Sequence, residues 1–321
     1  MTEKNMEFGD VRISVVIPVY NSERTLDACI RSLLNQSFKP FEIFIVDSGS
    51  RDGTRRIAEE LSKESSIIKY SDVGFERRNI SYARNFGANL SSGNYLLFVD
   101  SDWILDSNAL QRLSELAVEG AICVVASANR KKLDDEVSYI TKSRQVLWTT
   151  SVAQSYLNYV PHKPGSPVGN PYFIQRDAFL RLGGFDIKLP ALEDADLYVR
   201  CVLSGVHPKG PVNLGIHDQT ITLRTIVIRR IRSAHAAWAF ERKWGSTGWV
   251  RNAKTTLKKK QNLFLRWLKG IRLLFRREPI LLPGALLISI VDGMSLITAH
   301  VISAFHRANY TLNCDVHTRG I

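Results

Sequence analysis

The chain has 321 residues, 45% of them hydrophobic and 23% charged, with a formal net charge of +12 at pH 7. That length buries a substantial core, either as one large domain with an appendage or as two modest domains. It excludes a small scaffold held by disulfides: Cys29, Cys123, Cys201 and Cys314 form no CxxC pair, so neither a zinc knuckle nor an oxidising compartment is indicated.

MTEKNMEFGD at the N-terminus lacks the apolar core of a signal peptide, so a cytoplasmic start is expected. ISVVIPVY (Ile13 to Tyr20) reads as a buried strand, and NSERTLDACIRSLLNQS as a helix capped by Asn21 or Ser22. The pattern repeats with a strand over EIFIVDSGS (Glu42 to Ser50) and a helix over SRDGTRRIAEELSKE, capped by Ser50 or Asp52. IIKY (Ile67 to Tyr70) is a third strand, ISYARNFGANL a helix closed by Gly93, and YLLFVD (Tyr95 to Asp100) a fourth strand. Ser107 to Glu119 is helical and AICVVAS a fifth strand. Short apolar strands alternating with amphipathic helices predict a mostly parallel α/β sheet covered by helices.

In such a sheet, ligands bind beyond the carboxyl ends of the strands. Three polar clusters fall there: Val19-Tyr20-Asn21, Asp47-Ser48-Gly49-Ser50 and Asp100-Ser101-Asp102. After residue 130 come a short apolar run from Tyr172 to Ile174, a helical turn ended by Gly183-Gly184, and a helix over LEDADLYVRCVLSG. That helix begins with Glu193, Asp194 and Asp196, which also complement a helix dipole.

Residues 224 to 277 carry sixteen Lys and Arg against the single acid Glu241, a balance suited to an anionic partner. QNLFLRWLKGIRLLFRR within it is amphipathic, as a helix lying on an anionic membrane surface is. The 27 residues from Pro279 to Phe305 hold only Asp292 and His300 as ionisable groups, which gives a hydrophobic membrane segment at about 279–305. It is long enough to span a bilayer, but Asp292 at its middle leaves an in-plane helical hairpin open. If it spans, its basic N-terminal flank places the preceding part of the chain in the cytoplasm.

VVIPVYN, EIFIVDSGSRDGT, ARNFGAN, YLLFVDSDW and GGFD…LEDADLYVR occur in the order and spacing of the family 2 glycosyltransferases, which the chain resembles over about residues 11 to 245. The resemblance implies a GT-A fold over 1–223, with a nucleotide-binding half at about 11–128 and an acceptor-binding half at about 129–223, followed by a helical region over 224–321. It implies transfer of one sugar, with inversion, from a UDP- or GDP-sugar donor to an acceptor; the amphipathic and apolar tail alone points to a lipid-linked or glycan acceptor, such as a polyprenyl phosphate or lipid-linked glycan, at the cytoplasmic membrane face.

Site residues follow from the same resemblance. Asp47 would contact base and ribose, with Pro18, Tyr20 and Asn21 lining that pocket, and Arg84 and Asn85 would lie against the nucleotide and diphosphate. Asp100, Ser101 and Asp102 match the DxD motif. Asp102 would bind Mg2+ or Mn2+ directly, Asp100 would reach the ribose or a metal-bound water, and His217 is a further candidate ligand. Asp194 aligns with the general base and Glu193 lies beside it at the acceptor; for a phosphate acceptor, already ionised, Asp194 would serve only to orient.

DSGS stands where many relatives have a second Asp, and no QxxRW follows, which argues against a processive polysaccharide synthase. A sugar-phosphate nucleotidyltransferase would need a Gly-rich basic signature where VVIPVYNSER stands. A soluble enzyme with a non-lipid acceptor and a basic nucleic-acid-binding protein are the other competing readings. The latter leaves DSDW and LEDAD without a role, so no nucleic-acid partner is expected; the oligomeric state is left open.

Overall fold

A computed structural model describes residues 8–77, 79–129 and 171–218, together with scattered helical positions from 228 to 244. The chain divides into two compact units, one of Met1–Lys132, Lys163–Lys188 and Glu193–Asp218, the other of Leu133–His162, Leu189–Leu192 and Gln219–Ile321. The hydrophobic segment at 279–305 and nearly all of the basic segment lie outside the described residues. Among the described residues no helix is long and apolar enough to cross a membrane. In the second unit, Ala236 and Phe240 are buried one helical turn apart.

The first unit is built on eight strands: β1 (Ile13–Val19), β2 (Glu42–Asp47), β3 (Ile68–Asp72), β4 (Tyr95–Phe98), β5 (Trp103–Leu105), β6 (Cys123–Asn129), β7 (Tyr172–Gln175) and β8 (Lys209–His217). They form one sheet in the order β3-β2-β1-β4-β7-β6-β8-β5. Strands β1 to β4 are mutually parallel, β7 runs against both β4 and β6, β8 runs with β6, and β5 runs against β8. The expected parallel sheet is thus a mixed one, and the fifth strand of the sequence reading, β6, is separated from β4 by the antiparallel β7. Strands β5 and β8 carry too few β-branched residues in alternation to be legible, and pairing with each other makes them strands.

Helices α1 (Leu26–Leu34), α2 (Thr54–Glu64), α3 (Ile80–Leu90), α4 (Ala109–Val118), α5 (Arg176–Arg181) and α6 (Glu193–Leu203) cover the sheet. Because side chains alternate along a strand, β1 serves two cores at once. Ile13, Val15 and Ile17 join Ile30 and Leu33 of α1, Leu61 of α2 and Leu113 of α4 in one cluster. Val16 joins Ala83 and Ala88 of α3, Phe179 of α5 and Leu197 of α6 in the other. All seven residues of β1 are buried, which explains why its sequence is apolar apart from Ser14 rather than alternating.

Helix α3 packs tightly on β1 and β2. A Cβ on Gly87 would stand 2.5 Å from Val16 Cγ1, so only glycine lets the helix approach this far. That approach carries Arg84, one turn earlier, to the carboxyl end of β4.

Two expected helix caps are replaced. Helix α1 starts at Leu26, and Thr25 caps it without a side-chain bond. Asn21 instead holds φ 51°, the left-handed turn that asparagine tolerates, and its neighbour Ser22 donates its N–H to Thr54 Oγ1 at 2.7 Å. Helix α2 starts at Thr54 behind Gly53. Asp52 still accepts the Thr54 N–H at 3.0 Å, so the Asp52 alternative was sound in function though one position early.

Candidate active site

The carboxyl ends of β1, β2 and β4 bring the first three polar clusters together. Asn21 donates its N–H to Ser50 Oγ (2.9 Å) and accepts the Arg51 N–H on Oδ1 (2.9 Å), which stitches the loop after β1 to the loop after β2. Asp47, 1% exposed, accepts from both the N–H and the hydroxyl of Ser50 on Oδ1 (2.9 and 2.7 Å) and from the Tyr70 hydroxyl on Oδ2 (3.1 Å). Burial and the Asp47 carboxylate push the Tyr70 hydroxyl above its ordinary range, so it stays a donor. Ser50 belongs to the polar cluster legible in the sequence, whereas Tyr70 does not, since no local signal joins a tyrosine on β3 to an aspartate on β2.

Gly49, at φ 74°, turns that second loop against the backbone of Phe75, where a Cβ would stand 2.5 Å from the Phe75 nitrogen. Phe75 is 43% exposed, with the Arg51 guanidinium 4.8 Å from its ring centroid and the Tyr20 ring 6.2 Å away. Two rings and a guanidinium thus cluster where the loops after β1 and β2 meet Phe75. Pro18 is buried in β1 opposite Val46 and contributes backbone rather than a side-chain contact.

The DSDW stretch turns directly into β5. Ser101 donates to Ser22 Oγ at 2.9 Å, which ties this turn to the first loop. Pairing of β5 with β8 sets Trp103 opposite His217. Their rings stack at 5.0 Å and 17°, and His217 Nε2 lies 2.9 Å from Asp102 Oδ1. The Asp218 N–H donates to the Asp102 carbonyl, and Arg24 of the first loop forms an ion pair with Asp218 at 3.3 Å. His217, 115 positions from Asp102, therefore reaches the DxD turn.

Among the described residues no group of three or more His, Cys, Asp and Glu gathers around one point. The donor set that is present, one carboxylate oxygen beside one imidazole nitrogen, fits a divalent cation whose other positions go to substrate phosphate and water. Asp100, two residues earlier in the same turn, has Oδ1 2.8 Å from Arg84 Nη2.

Arg84 joins this turn to the start of α6. Its Nη1 donates to Glu193 Oε1 at 2.7 Å, and its side chain is 4% exposed. Burial pulls the guanidinium pKa down, and the carboxylates of Asp100 and Glu193 reverse this, leaving it raised and charged. Asn85, next in α3, clamps the residue after the Gly183-Gly184 turn: Nδ2 donates to the Phe185 carbonyl (2.8 Å) and Oδ1 accepts the Phe185 N–H (2.9 Å). The Phe185 ring stands 5.2 Å from the Arg84 guanidinium.

Asp194, half-buried at the start of α6, accepts the Ala195 N–H on Oδ1 at 2.8 Å. Burial, then the neighbouring Glu193 carboxylate, push its pKa up to about 7, against the opposing pull of the Ala195 N–H and Arg84. A carboxyl near neutrality is matched to taking a proton at neutral pH. Asp196, the third acid, is fully buried and bound by Arg200 at 2.8 Å, so it is a packing residue.

This fold is an α/β sheet whose polar clusters gather beyond the carboxyl ends of β1, β2 and β4, the edge at which ligands bind in open sheets of this kind. A mannosyltransferase of Pyrobaculum calidifontis, solved in complex with GDP-Man and Mn2+, has a similar fold: TM-score 0.59, covering 92% of this chain and 88% of that one at 19% identity. A family model described as glycosyl transferase family 2 matches residues 14–178, and the chain belongs to that family. Among its relatives, glycosyltransferase GlyA of Streptococcus pneumoniae is 39% identical over 110 residues, 34% of this chain and 16% of that one. The Campylobacter jejuni GalNAc(5)-diNAcBac-PP-undecaprenol beta-1,3-glucosyltransferase is 34% identical over 109 residues, 34% of this chain and 35% of that one. The matched part thus spans well under half the length of these relatives.

Proposed function

We propose that the protein is an inverting glycosyltransferase that moves a single sugar from a UDP- or GDP-sugar to a lipid-linked acceptor, such as a polyprenyl phosphate or lipid-linked glycan, at the cytoplasmic face of the membrane. The observation that carries the transfer reading is the convergence of a paired Asp102 and His217 with a near-neutral Asp194 at one sheet edge, joined through Arg84. In support of the lipid acceptor stand the amphipathic and hydrophobic tail of the sequence and the lipid-linked substrate in the name of the Campylobacter relative.

In this reading Asp47 meets the base and ribose, with Tyr20, Asn21 and the backbone at Pro18 lining the pocket. Asp102 and His217 hold a Mg2+ or Mn2+ ion, and Asp100 and Ser101 face the ribose side. When bound, such an ion supplies Lewis-acid charge to a departing diphosphate. Asp194 takes the proton of the acceptor hydroxyl while its oxygen bonds to the anomeric carbon and the sugar–phosphate bond breaks on the opposite face. Glu193 lines the acceptor side. Where the acceptor is an ionised phosphate, Asp194 orients it and moves no proton.

The test is a release assay with membranes and a panel of UDP- and GDP-sugars, with and without Mn2+. Transfer is expected with one donor, lost on chelation and in Asp102→Ala. Full activity in that variant, or indifference to chelator, overturns the metal assignment; no transfer from any nucleotide sugar overturns the enzyme reading.

A further inference from the structure

The resemblance places Arg84 and Asn85 on the donor, but their surroundings have another logic. A guanidinium offers five N–H donors in a fixed plane. In Arg84 one arm is committed to Asp100 at the end of β4 and the other to Glu193 at the start of α6, at 2.8 and 2.7 Å. The Phe185 ring lies 5.2 Å from the guanidinium carbon, and the side chain is 4% exposed. Among the described residues its buried Nε has no hydrogen-bond partner, so the side chain is held by its two carboxylates. To meet a diphosphate, Arg84 would have to leave two charges that are themselves largely shielded from water, and breaking a buried pair is costly.

Asn85 completes the arrangement. Its amide bonds both the N–H and the C=O of Phe185, and a Cβ on Gly184 would stand 2.7 Å from Asn85 Oδ1. The two adjacent side chains thus fasten the DxD turn to two later segments, the Gly-Gly-Phe turn and the Glu-Asp start of α6.

We infer that Arg84 and Asn85 are positioning residues, a clamp that fixes the donor-side Asp100 relative to the acceptor-side Glu193-Asp194 pair, rather than ligands of the donor diphosphate. With the clamp closed, Glu193 is occupied and Asp194 alone is left to face an acceptor. The inference deepens the transferase reading and rests on it for its kinetic arm.

The experiment compares the full chain with Arg84→Lys, Glu193→Gln and the double variant. Binding of UDP and GDP in the presence of Mn2+ is measured by calorimetry, kcat and donor KM by the transfer assay, and Tm by calorimetric unfolding. Lysine keeps the charge but cannot hold both carboxylates. A clamp predicts that Arg84→Lys lowers kcat at least about 30-fold, while donor KM and the nucleoside diphosphate Kd stay within about threefold. It also predicts that the double variant is no worse in kcat or Tm than the poorer single one, because both changes break the same link. A tenfold or greater rise in nucleoside diphosphate Kd in Arg84→Lys, or additive losses in the double variant, overturns it. If the wild type transfers no sugar, the transferase reading fails by itself, and the additivity of Tm still decides the clamp. If Arg84→Lys does not fold, Glu193→Gln decides: the clamp predicts the same kcat loss with donor Kd unchanged, and unaltered kcat refutes it.

Discussion

At the scale of single residues, the chemistry turns on how burial and neighbours treat three carboxylates differently. Asp196 is tied to Arg200, Glu193 to Arg84, and Asp194 is left with a backbone N–H and a pKa of about 7. Because that pKa is raised, Asp194 is a base only above it: kcat/KM for a hydroxyl acceptor is expected to fall as pH drops below about 7, with an acidic limb of unit slope. Asp194→Asn should remove that limb and cost about 100- to 10,000-fold in kcat. The same raised pKa means that the folded state favours the protonated form, so the amide variant should melt no lower than wild type at pH 8. A pH profile flat from 6 to 8 would show a phosphate acceptor with Asp194 only orienting. The motif letters made Asp194 visible in the sequence, but not its pKa, which is set first by burial at the start of α6 and then by the Glu193 carboxylate.

At the scale of elements, the amino ends of the strands are anchored as firmly as the carboxyl ends are left open. Glu42, 3% exposed at the start of β2, accepts from Ser14 Oγ, Ser92 N and Lys69 Nζ at 2.7, 2.6 and 2.7 Å. Burial raises its pKa, but Lys69, the Ser92 N–H and the serine hydroxyls outweigh that and bring it down to about 2. A depressed carboxylate pKa stabilises above the unfolded value and ceases to do so as pH falls through the folded one. Glu42→Gln should therefore cost about 2 kcal/mol at pH 7 and flatten the loss of stability between roughly pH 4.5 and 2. Urea unfolding at a series of pH values measures both. The α3–β1 contact makes a second prediction. Gly87→Ala sets a methyl 2.5 Å from a stiff valine, and should cost about 1–3 kcal/mol in the same unfolding assay, lowering kcat beyond the loss of folded protein because Arg84 moves with the helix. The strand-helix alternation up to α4 was legible because apolar runs and 3.6-residue spacing are local. β5 and β8 were not, since their pairing is a property of two distant segments, and the Asn21 and Ser22 caps failed because those residues bond across loops instead.

At the scale of the whole molecule, the sequence alone carries the reading of the tail. A chain ending near residue 255 lacks the amphipathic stretch from Gln261 and the apolar run from Pro279, and is expected to stay in the supernatant when full-length protein sediments with anionic vesicles. Sedimentation of the shortened chain would refute the anchor. Within the first unit, the sequence by itself determined the α/β class, the order of the first four strands and helices, the carboxyl-edge clusters and the family, because each is written in local periodicity or short motifs. Only the tertiary structure decided which of those residues act on one another. Asp102 beside His217, Tyr70 on Asp47, and Arg84 between Asp100 and Glu193 are contacts between different elements, 16 to 115 positions apart, set by strand order and helix approach that no local pattern encodes.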